Sequence, residues 1–120
     1  MSVFYICYTA RRGAAKRVKI GETGRDMNTR LMELRSKYDK SLQVSTLCHV
    51  GTNAERKALE ATVRLALERA GYSIVSNDFI TWYGANNKQK RVACIECARQ
   101  AARQYCELLN IRYTEEAVDG

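Results

Sequence analysis

Apolar and aromatic side chains crowd the first nine positions. SVFYICYT, Ser2–Thr9, is rich in β-branched and aromatic residues and predicts a first strand. A loop, ARRGAAKR, follows with Gly13 to turn on. VKIG then reads as a short second strand, which makes a hairpin with a long basic loop. From Asp26 to Tyr38 the period changes: Met27, Leu31, Leu34 and Tyr38 recur at helical spacing. LQVSTLCHV, Leu42–Val50, predicts a third strand. TNAE, Thr52–Glu55, has the Thr-x-x-Glu capping pattern, so a second helix is expected from there to a stop at Gly71. YSIVSNDFITWY reads as strand or irregular, a last helix is expected over about 88–109, and TEEAVDG as a frayed tail. No proline, low-complexity linker or internal repeat interrupts this order. The expected fold is a single α/β domain over 1–120, of the α+β kind. A small three-stranded antiparallel sheet is flanked by helices, with a core over about 2–83 and an added C-terminal helix.

Strand alternation carries the first chemical hint. Val18 and Ile20 share one face of the second strand, which leaves Lys19 on the other. If Phe4 and Ile6 join Val18 and Ile20 in the core, Tyr5 lands on the face of Lys19. Gly21 is then expected as the turn into the helix that carries Arg30. Lys19 and Arg30 can be solvated surface groups, or two halves of one anion-handling site.

Charge sharpens the choice. Among 120 residues, 20 are Lys or Arg and 13 are acidic, a net charge of +7 that points toward nucleic acid. Such a length suits one modest core. No run of about 18 apolar residues predicts a membrane span, and MSVFYICYT lacks the pattern of a signal peptide. Five cysteines, an odd number at irregular spacing, read as reduced thiols in a cytoplasmic protein. Cys94 and Cys97 form a C-x-x-C, but the surrounding sequence is helical, with Cys94, Cys97, Ala101 and Leu108 on one apolar face. Cys48–His49 is the one other adjacent donor pair, so buried thiols are preferred to zinc. His49 is given a structural role. Arg11, Arg12, Lys16 and Arg17 in the hairpin loop are either a solvated tip or a clamp for a nucleic-acid backbone. Lys88, Lys90 and Arg91 extend that surface from a helix start where cations gain nothing from the dipole.

VFYICYT, then VKIGET, then RDMNTRLMEL, then ALEATV stand in an order that resembles the GIY-YIG nuclease superfamily, in particular the phage-type branch with KIG in place of YIG. The resemblance covers Ser2 to Tyr83. On it, Tyr5 matches the tyrosine of the first motif, Lys19 the second-motif tyrosine position, Gly21 its glycine, Arg30 the helix arginine and Glu60 the metal-binding glutamate. Val3 stands where the first motif has glycine, and Asn77 and Asp78 both compete for the later polar position. The resemblance implies an endonuclease that hydrolyses DNA phosphodiesters with Mg²⁺ or Mn²⁺ on Glu60 and double-stranded DNA as partner. Such a reaction needs an activated water, a Lewis acid and stabilisation of developing charge. Arg30 can fork onto phosphate oxygens. Tyr5 is a general base if Lys19 and Arg30 lower its pKa; a desolvated Lys19 is the alternative base.

Bland readings exist for each group. Tyr5 can be a half-buried strand aromatic, Arg30 a surface residue, and Glu60 a boundary residue beside the stripe Leu59, Val63, Ala66, Leu67 and Ala70. The corresponding alternative function is a catalytically inactive GIY-YIG-fold module that binds nucleic acid or protein, such as a phage-encoded inhibitor. A small domain without an appended recognition module favours that alternative; Tyr5, Arg30 and Glu60 together favour the enzyme.

Overall fold

The opening hairpin forms as the alternation predicts in the computed structural model, which describes residues 3–10 and 16–118. Strand β1 (Val3–Thr9) pairs antiparallel with β2 (Val18–Thr23), placing Tyr5 opposite Gly21 and Cys7 opposite Lys19. Strand β3 (Leu42–Val50) lies on the other side of β1. Helix α1 (Met27–Lys37) connects β2 to β3, and α2 (Asn53–Arg69) and α3 (Lys88–Leu108) follow.

Among the described residues the sheet has six strands, not the three expected. β4 (Ser73–Val75), β5 (Phe79–Thr81) and β6 (Tyr113–Ala117) complete the order β4-β5-β2-β1-β3-β6, with every neighbouring pair antiparallel. Two of the added strands are three residues long, too short to display a period. The third, Tyr113–Ala117, takes in the start of TEEAVDG, the tail expected to fray. Its charges are matched instead: Arg99 and Arg103 of α3 both bind Glu115. The class is α+β.

Each sheet face has its own core. Phe4, Ile6, Val18 and Ile20 pack with Leu59, Val63 and Leu67 of α2 and Cys94, Ala98, Ala102 and Cys106 of α3. Small residues every fourth position let α3 approach closely. This corrects the expected α3 face, because Leu108 is 82% exposed and Cys97 and Ala101 sit at the border. The opposite face buries Tyr5, Cys7, Leu42, Val44 and Phe79 against Leu34 of α1. A register shift between Ile6 and Cys7 skips Ser45 of β3. This bulge lets Val44 and Leu47 both serve the α1 face, whereas Cys48 and Val50 serve the other.

Helix ends follow their signals. Asp26 accepts from Thr29 N–H to cap α1, and Thr52 with Glu55 forms the complete capping box of α2. At the end of α2, Gly71 takes φ +96°, with Tyr72 N–H donating to Leu67 O and Gly71 N–H to Glu68 O, a Schellman ending. Of the α2 stripe, Leu59, Val63 and Leu67 are buried, Ala66 is half-buried and Ala70 is exposed. All five cysteines are free thiols, with Cys97 half-buried and the others buried. Among the described residues, no helix is long and apolar enough to cross a membrane.

Candidate active site

Among the described residues, β2 pairs with β5 through Val18 and Lys19 alone. Beyond that point the edge of β2 opens into a cleft of about 280 Å³, lined by Tyr5, Lys19, Gly21, Glu22, Arg30, Tyr38, Glu60, Asn77 and Asp78. Tyr5, Lys19, Arg30 and Glu60, dispersed over β1, β2, α1 and α2, thus meet in one place.

Gly21 has a role different from the expected turn. It lies inside β2, opposite Tyr5, and the chain reverses after Thr23. A Cβ at Gly21 would fall inside the Tyr5 phenol. Glycine therefore lets the tyrosine ring cross its partner strand and bring its hydroxyl to the cleft. Gly21→Ala is expected to displace that ring and to cost about 1–3 kcal/mol, the usual range for overpacking a filled core. Denaturant unfolding measures it; an unchanged midpoint would place the ring elsewhere.

The charge state of Tyr5 also departs from expectation. Burial pushes its hydroxyl up to about 12, and the adjacent Arg30 guanidinium opposes that only in part. Counting cations overlooked the cost of putting a phenolate in the core. Lys19 moves the other way. Its side chain is buried with 4% exposure, and burial lowers its pKa, against the raising influence of Asp78. The ammonium donates to the carbonyl of Asn77 and sits 4.9 Å from the centre of the Tyr38 ring and 5.2 Å from that of Phe79. Arg30 is half-buried; its Nη1 lies 3.7 Å from Glu33, and its buried Nε has no hydrogen-bond partner among the described residues.

Glu60 is held by an arginine that sequence reasoning missed. Arg64 Nη2 is 3.0 Å from Glu60 Oε1 and 2.7 Å from Asp78 Oδ1, bridging the two carboxylates. Burial, with Asp78 and Glu22 nearby, raises the Glu60 pKa, and Arg64 opposes the shift. Glu22 is paired with Arg56, a buried arginine one turn before Glu60 on α2. The spacing Arg56-x₃-Glu60-x₃-Arg64 was a legible signal for one charged face on α2. Among the described residues, no three His, Cys, Asp or Glu side chains gather to hold a metal.

The basic residues divide. Arg11 and Arg12 lie outside the described residues. Lys16 is tied to the approach to α3, its N–H donating to Asn86 Oδ1 and its carbonyl accepting from Asn86 Nδ2. Arg17 lies over the Phe79 ring and 3.8 Å from Asp39. Lys88 and Lys90 are exposed at the start of α3. Arg91 is engaged, donating to Thr9 O and stacking on Tyr8. Lys88 and Arg91 line a separate hollow of about 460 Å³ with Tyr8, Arg99 and Glu96. His49 is remote from the cleft, 3.3 Å from Glu116 between β3 and β6.

No protein-family model, curated protein or solved structure matches the chain.

Proposed function

We propose that the cleft hydrolyses phosphodiester bonds in DNA, as a divergent metal-dependent endonuclease of GIY-YIG type. The observation that carries this reading is the convergence of Tyr5, Lys19, Arg30 and Glu60 in one cleft. Arg30 offers a phosphate an Nε–H with no partner among the described residues, and a guanidinium suits two phosphate oxygens at once. Lys19 is the base in preference to Tyr5. Its lowered pKa increases the neutral fraction available to take a proton from water, whereas a hydroxyl pushed up to about 12 stays protonated. Tyr5 then orients Arg30 and donates a hydrogen bond.

The donor set suits magnesium or manganese. Glu60 is an oxygen ligand in a region already crowded with the negative charge of Asp78 and Glu22. Mg²⁺ commonly uses one or two carboxylates and completes its shell with water and phosphate. Glu60 would hold the ion, which supplies Lewis acidity at the phosphate when bound.

Duplex DNA is the proposed partner, approached through the +7 charge and through Lys16, Arg17, Lys88 and Lys90. Binding should weaken steeply as salt rises, and Lys88→Gln with Lys90→Gln should lower the salt slope by roughly 2 and weaken all sequences alike. Fluorescence anisotropy with a labelled duplex measures both. Affinity independent of salt would exclude the phosphate backbone as the main contact. Hydrolysis of the same duplex in Mg²⁺ tests the reaction itself.

A second reading, a nucleic-acid- or protein-binding module without catalysis, is favoured by one contact: Arg64 already neutralises Glu60 and Asp78. Duplex binding without hydrolysis in either metal is its signature.

A further inference from the structure

Just after β5 the chain carries two aromatic residues side by side, Trp82 and Tyr83. Tyr83 is 85% exposed, the highest value for a large hydrophobic side chain among the described residues. One such residue alone is ordinary, but Tyr83 has company. Trp82 is half-buried and meets Tyr72 edge to face, ring centres 6.4 Å apart and planes at 89°. Its Nε1–H donates to the Ala85 carbonyl at 3.3 Å, which holds the indole in place. Tyr72, Trp82 and Tyr83 line a hollow of about 210 Å³ with Ala70, Gly71 and Lys90. Among the described lining residues, Lys90 is the one with a full charge.

We propose that this hollow stacks an unpaired nucleobase, with Lys90 on the adjoining phosphate, so that nucleic acid with a single-stranded segment is the preferred partner. The proposal rests on the nucleic-acid reading of the +7 charge and adds to it a contact outside the cleft. Aromatic rings bind bases of any identity through their π faces, and a cation beside them follows the backbone. Bases inside a duplex are already stacked on one another, so only an unpaired one can enter. Tyrosine and tryptophan give up little conformational freedom for the area they offer. The hollow is smaller than the roughly 300–1,000 Å³ usual for a small-molecule pocket, a size that suits one planar ring. Trp82 has spent its single donor on Ala85. The indole therefore offers a stacking surface and no hydrogen bond, which favours a base over a peptide carbonyl.

The position fits a substrate that also reaches the cleft. β4 and β5 form a hairpin in which Ser73 stands opposite Thr81. The aromatic hollow lies at its open end, and Asn77 and Asp78 of the cleft lie at its closed end. Four residues from Asp78 to Trp82 span about 13 Å of extended chain, roughly four nucleotides at the rise of one duplex strand. Lys16 is hydrogen-bonded to Asn86, so the basic hairpin loop borders the segment that carries Tyr83.

Trp82 is the single tryptophan of the chain, so its fluorescence reports on this hollow alone. Short oligothymidylate, added in chelator so that nothing is cut, should quench that emission saturably; a blunt duplex of equal length should leave it nearly unchanged. Tyr83→Ala should weaken oligothymidylate binding about 5- to 150-fold, the loss of one base–aromatic stack, and leave blunt-duplex affinity as it was. Tyr83→Phe keeps the ring and should keep the affinity. Oligothymidylate bound without quenching, equal quenching by the blunt duplex, or native affinity in Tyr83→Ala would overturn the proposal, and so would the absence of any single-strand binding. Each of these outcomes with blunt-duplex binding intact leaves the nuclease reading standing. Quenching without plasmid cleavage in Mg²⁺ would instead defeat that reading and keep this one.

Discussion

Replacing Lys19 with methionine is expected to cut hydrolysis by about 10²–10⁴-fold, the usual contribution of a general base, and yet to raise thermal stability. The second half follows from the sign of the shift. Burial lowers the pKa of Lys19 in the folded state. A group with a depressed folded value contributes stability that is full above its unfolded pKa and lost as pH falls through the folded one. At neutral pH the buried ammonium therefore opposes folding, and methionine, of similar length, removes that burden. The gain in thermal midpoint should grow toward acid pH and vanish above roughly pH 10.4, where the unfolded lysine is also neutral. Tyr5→Phe should cost less activity. With its hydroxyl pushed up to about 12, only about one Tyr5 in 10⁵ is ionised at pH 7. A larger loss from Tyr5→Phe than from Lys19→Met would return the role of base to the tyrosine. A lower midpoint in Lys19→Met would make the lysine a structural residue.

Glu60→Ala is expected to reduce hydrolysis by at least about 10²-fold, comparable to removal of one main stabiliser of transition-state charge. Its effect on folding should be small. Glu60 packs at the edge of α2, and its pair with Arg64 is a half-exposed contact one helical turn apart, a kind worth a few tenths of a kcal/mol. Arg64 keeps Asp78 as its partner. Activity measured beside calorimetry separates the roles: loss of fold together with activity would make Glu60 structural, and full activity would remove it from the mechanism.

Legibility of this molecule tracks the length of its elements. Helices of eleven residues or more announced themselves, α1 by the spacing of Met27, Leu31 and Leu34 and α2 by the cap of Thr52 with Glu55. β4 and β5 have no room for alternation, and β6 hides under Glu115 and Glu116, whose partners lie on α3 and β3. In the cleft, the parity of β1 and β2 correctly put Tyr5 and Lys19 on one face. Gly21 was assigned to a turn because its actual demand, space for a ring on the neighbouring strand, depends on register. The link from Arg64 to Asp78 could not be read from spacing, since it joins α2 to a turn fourteen residues later. The shift of Tyr5 was misjudged for a related reason: charges can be counted along a chain, but desolvation belongs to the packed core.

We propose that the cleft holding Lys19, Arg30 and Glu60 cuts phosphodiesters. Supercoiled plasmid incubated with purified protein measures this most directly, in Mg²⁺, in Mn²⁺ and in chelator, beside Glu60→Ala. Conversion to nicked or linear plasmid is expected with either metal, and none with chelator or with the variant. Intact plasmid under all conditions, while the protein binds it, would contradict the claim; so would equal nicking by Glu60→Ala.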